Sequence, residues 1–173
     1  MALVVEDGTG LATAESFGAV AGADAYHSDR GNTDWTGTDE VKEQALRRAS
    51  TFLSEGFAWK SWPVNGRDQG LAFPRAVFTD NNGYTVSGLP KEIVLATYEI
   101  ALRELVTPGA MTPDYTPSER LASASVGPIS VSYDLSRTDA ESARPVLLIV
   151  KGIIGPLLAG GGGSRLVGNS NRA

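Results

Sequence analysis

Apolar positions recur with a helical period most densely over residues 90–106, where Ile93, Val94, Leu95, Ile100, Leu102, Leu105 and Val106 cover most of the circumference. So broad an apolar surface predicts a central helix packed on at least two sides. Pro90 suits the first helical position, where its missing N–H would have no partner anyway, and Pro108 and Gly109 stop the run. Its few charges, Glu92, Glu99 and Arg103, fall on one narrow stripe, with Glu99 and Arg103 in the favourable i,i+4 order. The same period in Val41, Ala45, Ala49, Phe52 and Leu53 predicts a second helix over 39–55. Thr38 is its N-cap, Asp39 and Glu40 sit where the helix dipole favours acid, and Gly56 ends it. A shorter helix over 21–30 ends at Gly31, with Phe17, Val20 and Tyr26 expected to face inward and Trp35 to pin the next loop to the core.

The helical period lapses between residues 57 and 89, where turn residues become frequent. Ala76-Val77-Phe78 and Tyr84-Thr85-Val86 flank Asn82-Gly83, which predicts a β-hairpin over 76–86 closed by a type I′ turn. A connection this long inside a compact domain is usually functional, so it is a candidate contact surface. Ile129, Val131 and Tyr133 alternate with polar residues and predict a strand over 129–134 that needs a partner. Pro145 opens a terminal helix over 145–154, apolar nearly all round, which Gly155-Pro156 must break or kink. Such a helix is either sunk in its own core or shared with a neighbouring subunit, and the pattern alone favours neither. Four consecutive glycines at 160–163 then lead into SRLVGNSNRA. That tail is either a short motif that orders on a partner or a frayed terminus. The expected fold is mainly α: a small helical bundle around the central helix, with a β-hairpin, short strands and an extended C-terminal arm. Residues 1–159 form the domain and 160–173 the arm.

Composition narrows the class. At 173 residues the chain fits one domain with a real core, and without cysteine it must hold by packing alone. Its net charge of −5 is opposite to that of a typical free nucleic-acid or membrane binder. No targeting signal is expected, because Glu6 and Asp7 interrupt the opening apolar run, and residues 146–158 are too short and too broken to span a bilayer.

Candidate chemistry is sparse. His27 is the only histidine, and without a nucleophile signature it reads as a capped or surface imidazole. Asp80-Asn81-Asn82-Gly83 is a turn and not a calcium loop, since the glycine comes too early and no bidentate Glu follows. The glycine run lacks the Lys-Ser/Thr of a phosphate loop. No enzyme activity, cofactor or metal is expected. Trp59-Lys60-Ser61-Trp62 could offer stacking faces and a cation to single-stranded nucleic acid, although tryptophans beside a proline are more often loop anchors.

Longer stretches carry a resemblance. SFGAVAGADAYHSDRGNTDW, VKEQALRRASTFL, Gln69-Gly70-Leu71-Ala72-Phe73-Pro74-Arg75, Leu89-Pro90-Lys91-Glu92-Ile93 and Ser125-Val126-Gly127-Pro128-Ile129-Ser130 resemble, in order and spacing, the tailed-phage head-to-tail adaptor family. The resemblance runs from about Leu3 to Leu158. It implies a non-enzymatic virion protein, made in the host cytoplasm, that forms a twelve-fold ring of its own copies. That ring would dock on the portal and join it to tail or nozzle proteins, leaving a channel through which DNA passes without specific binding. By analogy Ile153, Ile154, Leu157 and Leu158, with Arg165, Leu166, Val167 and Arg172 of the arm, would reach the portal. Trp59, Trp62, Arg67, Phe78 and Tyr84 would meet neighbours or tail proteins. Members are often labelled DnaT-like single-stranded DNA-binding proteins, and a replication protein of that kind is the alternative reading.

Overall fold

A computed structural model describes residues 2–112, 123–126, 129–132 and 147–160. The fold is mainly α, with four α-helices among the described residues: α1 (Val20–Asp29), α2 (Asp39–Glu55), α3 (Lys91–Val106) and α4 (Leu148–Ile154). Two short antiparallel hairpins accompany them, β1 (Phe78–Thr79) with β2 (Thr85–Val86), and β3 (Ser123–Val126) with β4 (Ile129–Ser132).

The most extensive packing is between α2 and α3, and α3 also meets α4 and α1. Small residues make the close approach possible: Ala45 and Ala49 on α2 and Ala96 and Ala101 on α3 are fully buried. Leu46, Leu53, Ile93 and Ile100 fill the seam, and Val150 and Ile154 close it from α4. The central helix is therefore central in fact. Its start differs by one residue, since Pro90 is the N-cap in extended conformation and the first helical residue is Lys91. Val41 and Val106, near the ends of their helices, remain exposed.

The charge stripe on α3 departs from expectation, since Glu99 is buried rather than solvated. Its carboxylate accepts from the Tyr26 hydroxyl at 2.8 Å and from Arg103 at 3.4 Å. Burial first, and then this carboxylate, push the Tyr26 hydroxyl pKa up to about 12. Glu104, 1% exposed, is deeper still. An acid near a helix C-terminus opposes the dipole. Here the cost is offset, because Arg48 Nε donates to Glu104 at 2.8 Å and the backbone N–H groups of Gly109 and Met111 donate at 2.8 and 3.0 Å. Glu104 thus ties the loop after α3 back onto the helix.

His27 is also a core residue and not a surface one. Its Nε2–H donates to Tyr98 O at 3.2 Å while Nδ1 accepts from Asn32 Nδ2 at 3.0 Å, the pairing that satisfies both nitrogens of a neutral ring. Trp35 lies 4.7 Å away, centroid to centroid, and pins the α1–α2 loop as expected. Desolvation holds the imidazole pKa below its ordinary value.

At the first hairpin the register pairs Phe78 with Val86 and Thr79 with Thr85, which leaves a longer connection than a type I′ turn has. Gly83 has φ +88°, whereas Asn82 does not enter the positive region. Asp80 organises the tip: Gly83 N donates to its carbonyl, and Asn82 N and Tyr84 N donate to its Oδ1. Only one residue with positive φ is then required, and glycine supplies it. The strand expected over 129–134 is observed as Ile129–Ser132, and its partner is Ser123–Val126 in antiparallel register; residues 133–134 lie outside the described part. The terminal helix starts at Leu148, and the expected opening Pro145 is outside the described residues. Gly155-Pro156 converts the helix into a 3-10 turn, Gly155–Leu157.

Candidate nucleic-acid interface

Residues 57–89 are tied down along most of their length, largely by hydrogen bonds to backbone. Lys60 N donates to Leu157 O, Ala159 N to Ala58 O and Asn81 N to Pro156 O. The end of the terminal helix is thereby gripped between residues 58–60 and the hairpin tip, with Asn81 Nδ2 also donating to Gly155 O at 3.2 Å. The two stretches expected to be separate docking surfaces therefore meet each other. Ile154 and Leu157 are buried and Ile153 and Leu158 are half-buried, whereas Leu148 and Ile149 at the start of α4 are exposed. Arg165, Leu166, Val167 and Arg172 lie outside the described residues.

Trp59 and Trp62 diverge. Trp59 is a core residue, 8% exposed, edge-to-face with Phe73 and donating Nε1–H to Leu53 O at 3.1 Å. It is a loop anchor and not a contact residue. Trp62 is 70% exposed. Between the two tryptophans lies Ser61, whose φ of +63° is the one positive value among the described non-glycine residues. That conformation costs on the order of 1–3 kcal/mol.

Beyond Ser61 the chain becomes part of a ribbon. Ala76 N donates to Trp62 O at 2.8 Å, Val64 N to Pro74 O at 3.2 Å, and Pro63 and Arg75 form an antiparallel bridge. Residues 62–64 run beside 74–76, which lead into β1 and its partner β2. Lys60 Nζ spans the ribbon to Thr79 O at 3.0 Å. Gln69 Nε2 donates to Leu71 O and Pro74 O at 2.7 and 3.0 Å, holding the bend at its far end. Leu71 and Phe73 are buried beneath, and Phe78 is half-buried against the core. Outward stand Trp62, Val64, Val77 and Tyr84, the last 72% exposed. Arg67 is exposed on a 3-10 turn, Gly66–Asp68.

Tyr84 also lines an open cleft of about 430 Å³, together with Lys91, Asp80 and Glu92. A larger groove of about 620 Å³ lies at the other end of α3, between Arg30, Arg103, Met111 and Ile149. Its guanidinium groups are already engaged: Arg30 lies 3.6 Å from the Tyr26 ring centroid and Arg103 donates to Glu99. It is the poorer place for a phosphate. Among the described residues no group of His, Asp and Glu could hold a metal ion, and no helix is long and apolar enough to cross a membrane.

The family described as Putative DnaT-like ssDNA binding protein has a model that matches residues 1–173, the full sequence. The chain belongs to that family. No curated protein and no solved structure matches it. The head-to-tail adaptor assignment is corrected by this finding, because the matching description is of single-stranded DNA binding and not of a structural virion component. Portal docking, a connector ring and a DNA channel were implied by that assignment alone.

The net charge of this DnaT-like chain is unevenly distributed along the sequence. Residues 57–91 contain Lys60, Arg67, Arg75 and Lys91 against only Asp68 and Asp80. The acidic excess sits elsewhere in the sequence, much of it in carboxylates that tie structure, such as Glu6, Glu99 and Glu104. A whole-chain charge integrates over both populations, whereas a bound strand feels the potential where it lies.

Proposed function

We propose that the chain binds single-stranded DNA across the 60–86 ribbon, stacking bases on Trp62 and Tyr84 and meeting phosphates with Lys60, Arg67 and Lys91. One observation carries the reading: the two aromatic rings stand 70% and 72% exposed on one hydrogen-bonded ribbon, with Lys60 and Arg67 on the same stretch. Apolar surface left in water forgoes about 25 cal/mol per Å² of burial, so rings held out on a fixed backbone are available to unstacked bases. A duplex presents its bases already stacked and should bind less well. Family membership supports the same reading.

Fluorescence anisotropy with a labelled oligothymidylate tests it. Binding should weaken with salt, with a log–log slope of about −2 if three cations each neutralise a phosphate on a single strand. An unlabelled single strand should compete better than a duplex of equal length. Absence of binding, or binding indifferent to salt and to the substitutions Trp62→Ala and Tyr84→Ala, would remove the proposal.

A further inference from the structure

We infer that Arg75 is the positioning residue of this interface, a clamp on the backbone that presents Trp62 as a fixed stacking face. The inference rests on the single-strand reading for its purpose, although its geometry stands apart from it. Arg75 Nε donates to Lys60 O at 2.7 Å, one terminal nitrogen donates to Ala72 O at 3.0 Å and the other to Ser61 O. One guanidinium thus joins two consecutive carbonyls of the 60–64 segment to the bend that precedes it. The fork geometry is what allows this, and a lysine could not reproduce it.

The carbonyls it holds belong to the residues just before Trp62, one of them Ser61 in its left-handed conformation. Such a conformation persists only where the surroundings over-determine it. Here the surroundings are Arg75 on the carbonyl side and the Ser61 hydroxyl, which donates to Ala76 O at 2.9 Å. Ala76 N in turn donates to Trp62 O at 2.8 Å, closing a set of bonds on the backbone that carries the exposed indole. With Nε and both terminal nitrogens donating to carbonyls, Arg75 is engaged on backbone, although sequence alone would count it among the free cations. The Gln69 to Arg75 stretch then has a single task, with Gln69 fixing the bend and Arg75 fixing the indole. A ring whose backbone is already ordered loses less freedom on binding than one on a mobile loop.

The test combines Arg75→Lys with 5-fluorotryptophan labelling of the full chain, the Trp62 resonance being assigned with Trp62→Phe. Circular dichroism establishes that the variant is folded at the working temperature. Arg75→Lys should then bind oligothymidylate about tenfold more weakly while keeping its positive charge, and the Trp62 fluorine line should narrow as the indole gains motion. An Arg75→Lys protein with wild-type affinity and an unchanged Trp62 line overturns the clamp. If the wild-type chain fails to bind the oligonucleotide, the single-strand reading falls, and the fluorine line still decides whether Arg75 immobilises Trp62. Arg75→Gln serves as the second variant: it should narrow the line as Arg75→Lys does, and an unchanged line there also counts against the clamp.

Discussion

The α2–α3 pair and the 57–89 ribbon are held by opposite means. In the helix pair, Leu46, Leu53, Ile93 and Ile100 are wholly buried, so the identity of the side chains is what makes the structure. In the ribbon, many of the ties are directed at backbone: Gln69, Arg75, Asn81 and Lys60 all donate to main-chain carbonyls. The outward side chains there are left with no structural duty. A region fixed through its backbone can hold Trp62 and Tyr84 in water without falling apart, and that freedom is what a binding surface needs.

The comparison breaks most severely at Ile100. Replacing it by aspartate puts an unpaired carboxylate where no solvent reaches, at a cost of several kcal/mol, a large share of a domain's stability. The variant should show no cooperative thermal transition by circular dichroism; a wild-type melting curve would mean the helix pair is not the stabilising centre. Gly70→Ala probes where the ribbon meets the N-terminal segment. An added Cβ would lie 2.8 and 2.9 Å from the carbonyl oxygens of Ala14 and Ala12, which are backbone and cannot swing aside. We expect a loss of about 1–3 kcal/mol, read as a lower urea midpoint with unchanged slope.

His27 offers a gentler handle on the α1–α3 contact. Its folded pKa lies below the ordinary 6.5, so the folded state holds fewer protons than the unfolded chain around and below that value. The neutral ring's contribution is fully present above pH 6.5 and is lost as the pH falls from there through the folded pKa. Asp24, Glu99 and Arg30 also act on the ring, the two carboxylates favouring its charged form and Arg30 opposing it. Urea titrations at a series of pH values should show the midpoint falling on acidification, and His27→Gln should flatten that fall. The smallest effect on stability is expected at the ribbon surface. Trp62→Ala should leave the urea midpoint within about 0.5 kcal/mol of wild type, yet lower oligonucleotide affinity by about 1–3 kcal/mol, the worth of one stacked base. A large loss of stability there would show that the outward indole is structural after all.

Elements whose signals are local were legible in the chain. The helix over 39–55 is observed with the same bounds, and Gly31 takes the positive φ expected after the first helix. Apolar period, caps and stop residues act between positions a few residues apart, so a sequence displays them directly. Burial of an individual residue is different, because its partners are remote. Glu104 looks like surface charge until Arg48, 56 residues away, is folded against it. Trp59 and Trp62 look alike until Phe73 and Leu53 claim one of them and the ties of 74–76 hold out the other. The hairpin itself followed from Asn82-Gly83, but its turn type depended on a register and on Asp80, which only the paired strands fix. For this protein the sequence by itself determined α1, α2 and α3 to within a residue at each end, but not the start of the terminal helix. Tertiary structure alone decided which charges are ligands of backbone and which aromatics face water, because those outcomes depend on contacts whose cost in loop closure is met only when the whole chain packs.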